Sequence, residues 1–256
     1  MNLRPFLRAL TCGFLVLSAS FSSRLVSAQD LEGAEAGLAL AVQLRTMEPE
    51  ANSQWRGSLN IKPKGGEIEI IPISCQVVVA ADQWKVIYTT TGTPKRTAER
   101  LTVIHSTNGP SQFWLARSSG PSEPLGKPEM VAGTALDVPF AGSDFWLSEL
   151  GFDFYHWPVQ NRLKGAMRRG QPCYVLESAN PMAKPGGLAR VVTYLERESG
   201  QPILAEAEGT DKKTLKEFSL GKMAKVNGRW TPKNLEISNR KTGSHTWLEF
   251  DVEPEK

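Results

Sequence analysis

The sequence predicts a mainly β (α+β) protein: a strongly curved antiparallel sheet lined by one to two helices. Three observations lead to this. From Trp55 almost to the C-terminus, apolar residues recur at a period close to two, with turn residues at short intervals, the pattern of half-buried antiparallel strands. Ahead of them stands a single amphipathic helical stretch. Residues 140–157 then hold a third of the chain's Phe, Trp and Tyr, a density that needs a deep core or a greasy binding surface to receive it. A long sheet with one apolar face must close on itself or be covered by helices.

The first 28 residues read as a secretory leader. Arg4 and Arg8 make a basic start, Ala9 to Ala19 is mostly apolar, and Val26-Ser27-Ala28 supplies the small residues expected before a cut after Ala28. Cys12 lies inside the apolar run without the small residue that lipidation requires before it. No other apolar stretch approaches the roughly 20 residues of a membrane span. The formal charge of +3 includes Arg4, Arg8 and Arg24 and no acid of the leader, so the mature chain from Gln29 is formally neutral, with scattered basic residues. That excludes an electrostatic footprint for nucleic acid. The mature chain, 29–256, is expected as one domain, exported.

Asp30 can cap a helix from about Leu31 to Arg45, whose apolar stripe is expected to be Leu31, Ala34, Leu38, Ala41 and Val42. Strands follow over 55–62, 67–80, 84–91, 99–106 and 112–116. Pro72 is expected to bend the second strand or place it at an edge. Asn108-Gly109 reads as a hairpin turn, and the Ser, Gly and Pro of 117–133 as a loop.

Within the aromatic stretch, Ser143 or Asp144 can cap a short helix carrying Phe145, Trp146 and Leu150, stopped by Gly151. Alternation then places Phe152, Phe154 and His156 on one face of a strand that Pro158 ends. A second meander runs over 161–167, 173–178, 189–197, 203–208, 215–226, 234–239 and 245–252, with turns at Arg169-Gly170, Ser199-Gly200, Asn227-Gly228 and Thr242-Gly243. In the last strands Leu235 and Ile237, then Thr246, Leu248 and Phe250, alternate with polar residues, so one face is buried and the other wet.

Catalytic chemistry has little to stand on. His105, His156 and His245 show no metal-type spacing with Cys, Asp or Glu, and there is no nucleophile elbow, phosphate loop or dinucleotide fingerprint. The pairs Glu67/Glu69 and Glu196/Glu198 belong on solvated faces or in turns. A hydrolase acting through Asp144 and His156 would need the two hydrogen-bonded beside an open cleft. No catalytic residue, metal or cofactor is assigned. Cys75 and Cys173 each lie in a strand-like run; in an exported chain they either staple two strands as a disulfide or remain buried free thiols.

Four phrases in the second half carry a family resemblance: Gly142-Ser-Asp-Phe145, Gly170-Gln-Pro-Cys-Tyr-Val-Leu-Glu177, Val226-Asn-Gly-Arg-Trp-Thr-Pro232 and Thr242-Gly-Ser-His-Thr-Trp-Leu-Glu-Phe250. In this order they resemble the outer-membrane lipoprotein-sorting proteins (LolA/LolB-like). The resemblance implies an incomplete antiparallel β-barrel covered by one long N-terminal helix and one or more short ones. It also implies a non-enzymatic periplasmic carrier of lipid or lipoprotein acyl chains, with envelope donor and acceptor proteins and transient membrane contact. On it the cavity is expected to be lined by Phe145, Trp146, Leu150, Phe152 and Phe154, with Leu38 and Val42 from the lid helix. Trp84 and Trp114 are further candidates; no residue matches a specific functional residue of the family, including the arginine that couples lid and barrel there, for which Arg45 is a guess from position alone. The competing reading is an envelope-assembly module whose β core is filled by its own side chains; an empty apolar volume discriminates the two.

Overall fold

The computed structural model describes residues 32–49, 51–106, 109–220, 223–226, 229–232 and 234–251. The leader expected over 1–28, the cap at Asp30 with Leu31, and the turn residues Asn108, Asn227 and Gly228 lie outside the described residues. A helix α1 (Ala34–Arg45) precedes a meander of β1 (Ser53–Lys62), β2 (Glu69–Ala80), β3 (Gln83–Thr90), β4 (Glu99–Ser106), β5 (Gly109–Arg117) and the short β6 (Glu129–Val131). A connection containing α2 (Leu147–Leu150) and a 3-10 turn (Asp153–His156) leads to β7 (Val159–Arg168), β8 (Gln171–Ala179), β9 (Leu188–Glu196), β10 (Pro202–Gly209) and β11 (Thr214–Leu220). Next come the ribbon β12 (Met223–Val226) and β13 (Arg229–Pro232), then β14 (Asn234–Asn239) and β15 (His245–Phe250).

Thirteen of these strands form one antiparallel sheet in the order β6-β5-β4-β3-β2-β1-β15-β14-β11-β10-β9-β8-β7. The last strand therefore pairs with the first, Leu59 opposite Leu248 and Ile61 opposite Thr246, and this ladder welds the two meanders into a single surface. Ile237, Thr246 and Leu248 are fully buried, as their alternation requires. The expected strand over 215–226 divides instead: β12 leaves the large sheet and pairs only with β13. The loop expected over 117–133 contributes β6 to the sheet edge. Arg169 and Gly170 both adopt positive φ, 50° and 78°, the geometry of a two-residue hairpin turn that matches strand twist.

Pro72 is not at an edge. It lies in β2 between β1 and β3, opposite Ser58. The β2–β3 ladder ends one residue later, at Ile73 and Thr90, and Thr91 N–H donates to the Pro72 carbonyl at 3.1 Å. A proline at the end of a ladder sacrifices no interior hydrogen bond.

Helix α1 lies on β7, and its register differs from expectation. The helix starts after Gly33, whose N–H and carbonyl exchange hydrogen bonds with Arg162 at 2.8 and 2.9 Å. Gly37 is buried against the β7 backbone, where a Cβ would stand 2.5 Å from Asn161; only glycine permits so close an approach. Gly33, Gly37 and Ala41 thus form the contact stripe, flanked by Leu40 and Leu44, which pack on the core. The adjacent stripe, Ala34, Leu38 and Val42, turns to solvent, with Leu38 52 % and Val42 38 % exposed. The inward placement of Leu38 and Val42 is corrected: small residues seat the helix more closely than large ones could, and backbone proximity decides the register.

Cys75 and Cys173 are free, buried thiols. Cys75 lies in β2 and Cys173 in β8, with six strands between them in the sheet order and in separate apolar clusters, so the staple between them is not formed. Burial pushes the Cys75 thiol up to about 12, which keeps it protonated and inert.

Candidate functional site

The covered face of the sheet is filled in two different ways. Over most of β1–β5, β14 and β15 it is filled: Phe140, Phe145, Leu147 and Leu150 cluster with Leu59, Ile71, Leu101, Val103 and Phe113. Towards α1 the filling is incomplete, and a partly open cleft of about 240 Å³ remains. Its walls are Trp84, Val86 and Tyr88 from one face of β3, His105 from β4, and Leu44, Arg45 and Met47 from the end of α1 and the residues after it. Leu150, Gly151, Phe152, Tyr155 and His156 form its floor, and Pro202 of β10 closes one side. β3 and β10 are separated by five strands in the sheet, so that both line one cleft shows how strongly the sheet curls.

The floor exists because the aromatic segment is not a strand. Helix α2 begins after Trp146, whose N–H donates to the Glu149 carboxylate at 2.7 Å, and ends at Gly151. Phe152 then adopts a left-handed φ of 52°, uncommon for a bulky residue. The chain continues as the 3-10 turn rather than the expected alternating strand, so Phe152, Phe154 and His156 do not share a face. The ring of Phe152 stands edge-on to Phe154 and Phe218 at 6.1 and 6.0 Å and stacks on Tyr155 at 6.1 Å. It separates the cleft from a second void of about 20 Å³ lined by Phe154, Leu188, Val191, Ala205 and Phe218.

Polar anchors hold this segment to the sheet. Lys216 of β11 reaches the Glu149 carboxylate at 2.9 Å and the Asp144 carbonyl at 2.8 Å, and its ammonium lies 3.7 Å above the Trp146 ring. The Lys216 and Glu149 side chains are only 3 % and 7 % exposed. Burial pushes the Glu149 carboxyl up and the Lys216 amine down, and their mutual attraction opposes both. Asp144 is not a helix cap. Its carboxylate accepts from Asn239, Ser244 and Thr246, tying the segment to the β14–β15 hairpin. At the other end Arg96 donates to the Ala141 carbonyl and Glu99 accepts the Ala141 N–H. Gly142, at φ 66°, has no room for a side chain beside the Arg96 guanidinium.

The cleft is apolar with one fixed charge. His105 stacks on Trp84 at 5.0 Å, and its Nδ1 lies 3.1 Å from the Ser111 hydroxyl. Burial, reinforced by His156, depresses it to about 4. Burial and then Arg45 push His156 down as well, so both imidazoles favour the neutral form. Burial raises Tyr88 and Tyr155 and keeps their hydroxyls protonated. No Asp or Glu lines the cleft, and among the described residues no group of three or more His, Cys, Asp or Glu could hold a metal ion.

Of the expected lining residues, Leu150, Phe152 and Trp84 reach the cleft, as does Arg45. Phe145 is fully buried in the packed half, Phe154 lines the small void, and Trp146 covers Lys216. Trp114 lies outside the cleft, its indole N–H buried and without a partner among the described residues. Tyr88, Val86, Leu44 and Tyr155 were not singled out by the sequence reading. The alternation Trp84, Val86, Tyr88 does put three large residues on one face, but which face is covered depends on the aromatic segment far along the chain.

A family model described as "Uncharacterized protein" matches residues 121–253, just over half of the chain. The chain belongs to that family. The matched part contains the aromatic segment and the second meander. No curated protein matches by sequence. Among solved structures, a DUF1329 family protein from Desulfovibrio piger aligns with a TM-score of 0.67 at 16% identity, over 88% of this chain and 96% of that one. A domain described as outer-membrane lipoprotein-sorting, from Vibrio parahaemolyticus, aligns at 0.66 with 21% identity, over 85% and 91%. A LolA superfamily protein from Nitrosomonas europaea aligns at 0.57 with 14% identity, over 88% and 94%. The family member described here therefore has a LolA-like fold, and the resemblance carried by the four sequence phrases holds at the level of fold.

Proposed function

We propose that the protein is a non-catalytic carrier of acyl chains in the cell envelope, exported by residues 1–28 and acting on lipid or lipoprotein in the periplasm. The observation that carries this reading is the cleft of about 240 Å³ between α1 and the curled sheet, apolar on nearly all sides. A cargo that buries about eight methylenes there illustrates the scale. At about 0.8 kcal/mol per buried methylene, such a cargo gains on the order of 6 kcal/mol over water, enough to be carried and little enough to be surrendered to a bilayer. The LolA-like fold agrees with this role. The exposed Leu38 and Val42 on the outer face of α1 suit transient contact with a membrane or with a donor or acceptor protein. Asp144 is committed to Asn239, Ser244 and Thr246, which weighs against hydrolysis with His156.

A second reading, an envelope-assembly module, draws on the packed half, where Phe145 and Leu147 are fully buried. Uptake of a fluorescent fatty acid separates the two. The wild-type chain should bind it, and Val86→Trp or Leu44→Trp, which fill the cleft from opposite walls, should each abolish uptake with an unchanged circular dichroism spectrum. Uptake undiminished in both variants would remove the cleft as the cargo site.

A further inference from the structure

The cleft's walls restrict what it can carry more narrowly than "acyl chain". Its one permanently charged lining residue is Arg45, at the end of α1, and no Asp or Glu shares the cleft with it. Among the described residues no carboxylate pairs with Arg45. His156 is close enough to Arg45 to feel its charge, and both stand with Met47, which is 47 % exposed, so the polar end of the cleft opens towards solvent. The helix C-terminus does not cancel the positive charge, because Thr46 and Met47 N–H groups cover the carbonyls of Val42 and Leu44. Leu150, Phe152 and Tyr88, which also line the cleft, offer no charge.

An apolar slot with a lone guanidinium at its mouth is complementary to a single hydrocarbon tail bearing an anionic head. We infer that the cleft selects single-chain anionic amphiphiles of medium length, with a carboxylate or phosphate held by Arg45 and the His156 ring beside it. Phe152 bars the way to the adjoining void, so the enclosed space is a single slot, which suits one chain. This inference rests on the carrier reading and adds to it the head group, the chain number and the chain length.

Titration calorimetry on the mature chain, Gln29 to Lys256, with decanoate, decyl phosphate, 1-decanol and decyltrimethylammonium tests it. Decanoate and decyl phosphate should bind at least about tenfold more tightly than decanol, and decyltrimethylammonium should bind least. A difference between the two anions identifies the head group. Arg45→Gln should remove the preference for the anions over decanol, and Arg45→Lys should restore most of it. Across fatty acids, affinity should rise to about eight to ten carbons and then level. Equal affinity for decanol and decanoate, or an unaltered preference in Arg45→Gln, overturns the inference while leaving a carrier in place. Preference for a short diacyl lipid overturns it likewise. Failure of every probe to bind removes the carrier reading and the inference with it.

Discussion

The two ends of the covered sheet face use the same materials to opposite effect. Over β1–β5, the aromatic segment delivers Phe140, Phe145, Leu147 and Leu150 into full burial, and the space is occupied. A few residues later the same segment leaves Phe152 and His156 only half-buried, and the space beside them stays open. The difference lies in the backbone. α2 and its anchors at Lys216, Asp144 and Glu99 press the first part onto the sheet, whereas the left-handed Phe152 and the 3-10 turn bury Phe154 and Tyr155 elsewhere and leave Phe152 and His156 at the edge of the open space. A filled half can stabilise the fold while an unfilled half carries cargo; neither end has to do both.

The comparison breaks first at its anchors. Lys216→Met leaves the Glu149 carboxylate buried and unpaired and should cost about 3–5 kcal/mol, whereas Lys216→Met with Glu149→Leu, which removes both charges, should recover most of that loss. Denaturant unfolding of the two variants checks it. Next, Phe145→Ala in the packed half should cost about 3–5 kcal/mol. Phe152→Ala, half-buried beside an existing void, should cost less by the same measurement, yet join the cleft to the space beside Phe154 and Phe218. Its binding preference should then shift to longer chains.

A smaller effect is expected with pH. His105 is held near 4 in the folded protein against about 6.5 when exposed. Between those values the unfolded chain binds the extra proton, so the stabilisation is complete above about pH 6.5 and is lost as pH falls towards 4. The loss is at most about 3 kcal/mol. His105→Phe, which keeps a ring against Trp84, should flatten that part of the stability profile. Smallest of all, Leu38→Ser with Val42→Ser on the exposed face of α1 should change stability by no more than about 0.5 kcal/mol per site while weakening flotation with vesicles.

Much of the sheet was legible because strand alternation and turn residues are local. Asn234 to Phe250 and the Arg169-Gly170 turn needed nothing from the rest of the chain. The site was legible only in part. Leu150 and Phe152 lie in a stretch whose aromatic density marks it out, but whether each ring fills or lines depends on Lys216, 64 to 66 residues further along, and on a positive φ that no local pattern announces. The register of α1 misled for a related reason. Hydrophobicity favoured Leu38 and Val42, whereas the decisive residue was Gly37, whose value is the side chain it lacks. The lone charge of the cleft shows itself only once β3, β4 and the end of α1 are brought together.

The most direct measurement is native mass spectrometry of the mature chain purified from the periplasm without detergent, followed by solvent extraction and identification of what was bound. About one acyl-chain mass per protein is expected, lost in Val86→Trp. A clean apo mass, with no uptake when fatty acid is offered, would contradict the carrier and leave the cleft as an imperfection in a packed core.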